Sequence, residues 1–171
     1  MYLGMMFLFC NCSESIPVEN QANILTLPQG EGTDITLKLT KHGTLEALLK
    51  APIFKDFSHL EFPFYEFPKG IELTIYDKKG TSKIYADYAI QYTETKLVVL
   101  KNNVRVLTAE GTQLKTDELF WNQELQWIYC DTTFNIGFKT GNFNKGQGFD
   151  AKDNFDYFRS HNNRITQEFK H

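Results

Sequence analysis

The sequence predicts an all-β protein: an antiparallel β jelly roll, or open half-pipe, of stacked hairpins behind a short apolar N-terminal segment. Three observations predict it. Apolar and polar residues alternate with period 2, as in Ile71, Leu73 and Ile75 against Glu72, Thr74 and Tyr76. Turn-forming clusters such as Asp77-Lys78-Lys79-Gly80, Lys101-Asn102-Asn103 and Gly141-Asn142 punctuate those runs. A strand–turn–strand unit recurs at a period of about 30 residues: Ala86-Asp87 returns as Thr116-Asp117, Glu94 as Glu124, Val104 as Phe134 and Val106 as Ile136.

At the front, Met1 to Phe9 is almost wholly apolar. It is too short to span a bilayer, which takes roughly 20 apolar residues. It ends in Phe9-Cys10-Asn11-Cys12-Ser13, an apolar run closing on cysteine as in a bacterial lipoprotein signal. Residues 1–15 are therefore read as a signal or lipoprotein-type anchor, with Cys12 the lipidation candidate. The polar stretch 16–33 reads as a linker that lets a tethered domain stand off a membrane.

The β domain is expected over 34–158 and a polar, frayed tail over 159–171. A degenerate first copy of the repeat runs from Gly43 to Ala51-Pro52, and the last begins at Gly148-Phe149-Asp150. One stretch disagrees with strands: Leu45, Leu48 and Leu49 have helical spacing. Phe62-Pro63-Phe64-Tyr65-Glu66-Phe67-Pro68 reads as either a ligand surface or an extended edge or corner covering the core. Glu118 breaks the alternation before Leu119 and Trp121, which marks a bulge.

A hairpin cannot bury its apolar face alone, so the units must stack and fold over. The inward repeat positions are then Leu73, Ile75, Ile84, Ala86, Val104, Val106, Leu114, Leu119, Trp121, Phe134, Ile136 and Phe149. They are the candidates for lining an apolar groove, and core packing is the competing use for each.

Composition narrows the function. The net charge is −3 and no cluster of Lys and Arg stands out. Nucleic acid as the main partner is excluded on that ground, and a broad basic patch for anionic head groups is unsupported. There is no phosphate-binding glycine loop and no nucleophile elbow. His42, His59, His161 and His171 are scattered, with none at metal spacing. Asp87, Asp117 and Asp150 share one slot of the repeat, which suits outward or turn-stabilising carboxylates better than acid–base catalysis. The three cysteines include two at the extreme N-terminus, so no disulfide framework is present, and Cys130 reads as a buried structural thiol. No enzyme activity, cofactor or metal is expected.

An ordered set of short motifs resembles a known family. Ala51-Pro52, Phe67-Pro68-Lys69-Gly70-Ile71, Tyr76-Asp77, Ala86-Asp87-Tyr88-Ala89 and Asn103-Val104-Arg105-Val106 occur in sequence. Gly111-Thr112-Gln113-Leu114-Lys115-Thr116-Asp117-Glu118-Leu119-Phe120-Trp121 and Gly146-Gln147-Gly148-Phe149-Asp150 follow. From Gly43 to Phe158 the chain resembles the LptC family, in its Bacteroidetes-like form. That family is the periplasmic component of the lipopolysaccharide export ABC transporter, within the OstA/LptA-like superfamily. The front departs from the family pattern, in which a transmembrane helix precedes the β domain.

The resemblance implies a non-enzymatic carrier on the periplasmic side of the inner membrane of a Gram-negative bacterium. It would take lipopolysaccharide from the inner-membrane ABC transporter subunits and pass it to an LptA-like periplasmic protein. The C-terminal strand edge, Phe149 to Phe158, would meet the LptA-like protein, and the N-terminal edge, Ile35 to Leu39, the transporter. Two alternatives remain. One is an envelope structural or adaptor lipoprotein with a filled β core and no lipid transport. The other is an envelope-glycan hydrolase, which needs two converging carboxylates.

Overall fold

The computed structural model describes residues 27–164. The Cys12 candidate, the 1–15 segment and the ends of the expected linker and tail lie outside the described residues. Strands β1 to β6 are Gly30–Lys41, Thr44–Asp56, Phe64–Phe67, Ile71–Asp77, Gly80–Ala86 and Tyr88–Tyr92. Strands β7 to β11 are Leu97–Leu107, Gln113–Asn122, Trp127–Gly137, Phe143–Lys152 and Phe158–Arg164. All pair antiparallel in one eleven-stranded sheet, and the all-β jelly-roll or half-pipe class expected from the sequence is what forms.

The sheet forks and closes again. The long strand β2 pairs β1 along one side. On its other side Ala47–Lys50 pairs β4, while Lys55 and Asp56 pair β3. Strand β4 continues to β5 and β3 to β6. Both branches rejoin on β7, through Lys83–Tyr85 of β5 and Tyr88–Gln91 of β6. Strands β8 to β11 then follow in order. Each long strand therefore serves two layers and bends where it passes between them.

The bends have local causes. Pro52, which cannot donate a ladder bond, stands in β2 between the β4 and β3 pairings, where none is needed. In β7, Asn102 and Asn103 both take left-handed conformations, at φ 61° and 51°, where the register shifts. The register shifts again between Thr116 and Phe120, at the bulge expected from Glu118. The buried Thr116 hydroxyl donates to the Thr133 carbonyl at 2.9 Å and lies 3.2 Å from Cys130 Sγ, so this crease carries its own polar satisfaction. Cys130 is fully buried, as a structural thiol should be.

Between the layers Ala89, Leu100, Leu119 and Ile128 share one core with Ile84, Val106, Leu114 and Ile136. At the β9–β11 end the core is aromatic. Phe134 and Phe149 meet edge to face at 5.0 Å, and Phe158 packs 5.3 Å from Phe149 and 5.7 Å from Phe134.

Several expectations are corrected. Leu45, Leu48 and Leu49 lie in β2, not in a helix, because β1 and β4 saturate both sides of that backbone. The sheet starts at Gly30, inside the expected linker. It ends at Arg164, inside the expected tail, because β11 pairs β10 from Phe158 onward. The last edge is therefore β11; most of Phe149 to Phe158 is an interior strand and its turn. The aromatic segment is not an edge either, since β3 lies hydrogen-bonded between β2 and β6.

Candidate functional site

A cavity of about 890 Å³ lies between the two layers. Strands β4, β5 and β7 supply Leu73, Ile75, Ile84 and Val106 on one wall. Strands β6 to β9 supply Ala89, Val98, Leu100, Leu119, Trp121 and Ile128 on the other. The alternation seen in the sequence produces this arrangement, because successive side chains point to opposite faces of a strand. Leu37 and Leu39 of β1 border the cavity yet are 49% and 60% exposed, so the trough stands open at the N-terminal edge.

The strand tips that border the cavity are polar. Asp77, Lys78 and Lys79 come from the β4–β5 turn and Glu110 from the β7–β8 turn. Lys79 Nζ and Glu110 Oε1 are 2.9 Å apart, which raises the lysine and lowers the carboxyl from their usual ranges. Across from them stand Gln123, Gln126, Asp153 and Asn154. Within the apolar wall one polar group is left over: the Trp121 indole N–H is buried with no acceptor among the described residues.

The twelve sequence candidates divide. Leu73, Ile75, Ile84, Val106, Leu119 and Trp121 border the cavity. Ala86, Val104, Leu114, Phe134, Ile136 and Phe149 do not; they sit in the filled part of the core, none more than 5% exposed. The aromatic side chains around Phe149 occupy the C-terminal end, so the open trough does not run evenly from rim to rim. Leu37, Leu39, Leu49, Ala89, Leu100 and Phe155 were not among the candidates and do border the cavity. Alternation in β7 places Leu100 inward; continued from Ile84 and Ala86 it would put Ala89 outward with Tyr85 and Asp87, but the break between β5 and β6 at Asp87 reverses the phase and buries Ala89. No local pattern marks Phe155, which a turn at φ 59° carries in.

The three repeat carboxylates point outward. Asp87 accepts a hydrogen bond from Asn103, Asp117 is exposed, and Asp150 pairs with His161 at 2.6 Å. That histidine belongs to β11 and is not a free tail residue. Among the described residues no group of three or more His, Cys, Asp or Glu side chains could hold a metal ion. Nor is any helix there long and apolar enough to cross a membrane. No family model matches the chain. No curated protein matches it either.

Proposed function

We propose that the protein is a non-enzymatic carrier for the acyl chains of a lipid, acting in lipopolysaccharide export as an LptC-like bridge. The apolar cavity between the layers is the observation that carries this reading. Each methylene removed from water contributes about 0.8 kcal/mol, so a route off a membrane must offer an apolar lining. The volume falls within the roughly 300–1,000 Å³ of small-molecule sites. The unpaired Trp121 N–H suits an ester or amide carbonyl where an acyl chain joins its head group.

The two outer strands of the sheet among the described residues supply the partner contacts. Strand β1 faces the ABC transporter subunits on the inner membrane, and β11 pairs with the edge of an LptA-like protein. An N-terminal lipid at Cys12 tethers the domain on the periplasmic side.

A second reading has one observation in its favour. The aromatic packing of Phe134, Phe149 and Phe158 fills the C-terminal end, as in an envelope adaptor that moves no lipid. Photo-crosslinking groups at Leu39 and Leu73, with the exposed Lys50 as the outward control, separate the two in cells with an active exporter. Lipopolysaccharide adducts at the first two and not at the control support carriage. Equal labelling at all three, or none, refutes it and leaves the adaptor.

A further inference from the structure

The outer face of the sheet carries a feature invisible in the linear sequence. Arg105 of β7 lies directly opposite Lys115 of β8. Lys115 lies opposite Asn135 of β9, and Asn135 opposite Lys145 of β10. Four neighbouring strands thus present one transverse row, about 14 Å long at ~4.8 Å per strand. The expectation that no basic cluster exists holds for the sequence and fails for the fold.

Like charges facing each other across a strand pair are destabilising. None of Arg105, Lys115 and Lys145 makes an ion pair among the described residues. Aromatic rings steady two of them: Arg105 lies 5.1 Å from the Tyr85 ring centre and Lys145 5.6 Å from that of Phe143. In the middle of the row the Asn135 side-chain oxygen is buried with no partner. A groove of about 1,130 Å³ lies over the whole row.

The second side of the groove is amide and carboxylate, chiefly Asp117 and Gln147. Asp87 also lines it, with its carboxylate engaged by Asn103. A bare phosphate gains nothing from those carboxylates. A polyhydroxylated anion does, because its hydroxyls donate to Asp117 and accept from Gln147 while its charges meet the row. The groove spans the outer faces of β7 to β10 and reaches Asn162 of the edge strand β11; its floor strands β7 to β10 are hydrogen-bonded on both sides, so an added peptide strand finds no free backbone within it.

We propose that this groove binds an anionic sugar chain, one bearing uronate or phosphoryl groups. It lies on the outer face, with the cavity on the other side of the sheet, so the proposal stands apart from lipid carriage.

The test uses the full chain, with tetragalacturonate as the probe and a neutral glucan tetramer as its control, by titration calorimetry. Inorganic phosphate and phosphatidylglycerol vesicles form the other arms. The expected result is saturable tetragalacturonate binding that Lys115→Gln and Lys145→Gln each weaken about tenfold. Lys50→Gln, in the same row of the sheet but outside the groove, should leave it unchanged. All three positions are exposed, so the variants keep the fold. Phosphate competing at equal affinity, binding to vesicles alone, equal binding of the neutral tetramer, or no tetragalacturonate binding would each overturn the proposal. Retention of alkyl-chain binding by Lys115→Gln shows that the cavity is a separate site.

Discussion

If the cavity between the layers takes acyl chains, affinity must grow with chain length at a rate the structure dictates. Each added methylene that enters an apolar lining contributes about 0.8 kcal/mol, close to fourfold in affinity. The cavity holds about 890 Å³. At roughly 30 Å³ per methylene, near the share of one water molecule in the liquid, that is an upper bound of about 30 methylenes. A single chain of ordinary length does not fill it, so the gain should persist from eight carbons to fourteen. The gross gain for twelve carbons is then about 10 kcal/mol, and association costs some 4 kcal/mol or more. A dodecyl chain with an uncharged head group should bind in the micromolar range or weaker. Displacement of an environment-sensitive fluorophore measures the series. The variant Leu73→Asp sets a charge in the apolar wall that an alkyl chain cannot solvate, and should weaken the twelve-carbon ligand at least about tenfold, with the circular dichroism unchanged. A slope below about twofold per methylene, or a folded Leu73→Asp with full affinity, would refute the reasoning.

Three further outcomes follow from packing and charge. Ile136 is fully buried in the filled core, so Ile136→Ala should cost about 2–5 kcal/mol in urea unfolding, against less than about 0.5 for Leu125→Ala at a 71% exposed turn. Gly70 sits at φ +84° with its would-be Cβ 2.4 Å from the Ala86 carbonyl oxygen, so Gly70→Ala should cost more than about 1 kcal/mol of stability, read as a clearly lowered thermal midpoint. Burial, and then the hydrogen bond its hydroxyl donates to Glu66 at 2.8 Å, push Tyr88 up to about 12 from 10.0. A raised folded value favours the neutral phenol, so its stabilising contribution is full below pH 10 and is lost as the pH climbs through about 12. Stability measured against pH should show that alkaline loss in the native chain, and Tyr88→Phe should lack its Tyr88 share.

Local pattern was enough for much of the fold. Ile71, Leu73 and Ile75 had to share a face because period-2 alternation permits nothing else in a strand. The Glu118 break had to be absorbed by a bulge, and the chain places a register shift between Thr116 and Phe120. Leu45, Leu48 and Leu49 misled for a physical reason. Helical spacing is a local signal, and pairing with β1 and β4 on both sides overrides it. The end of the domain was also illegible, because β11 has no alternation of its own and exists through its bonds to β10.

By itself, then, the sequence determined the strand class, the repeat, and which residues face inward, since these depend on neighbours one and two positions away. Only the tertiary structure decided how the inward residues divide. Ile84 and Val106 border open space while Ile136 and Phe149 lie in solid core, because fold-over brings three phenylalanine rings together at one end and leaves the other end open. It alone set Arg105, Lys115 and Lys145 side by side. Residues far apart in sequence become neighbours only once strand register is set, and register is a property of the whole sheet.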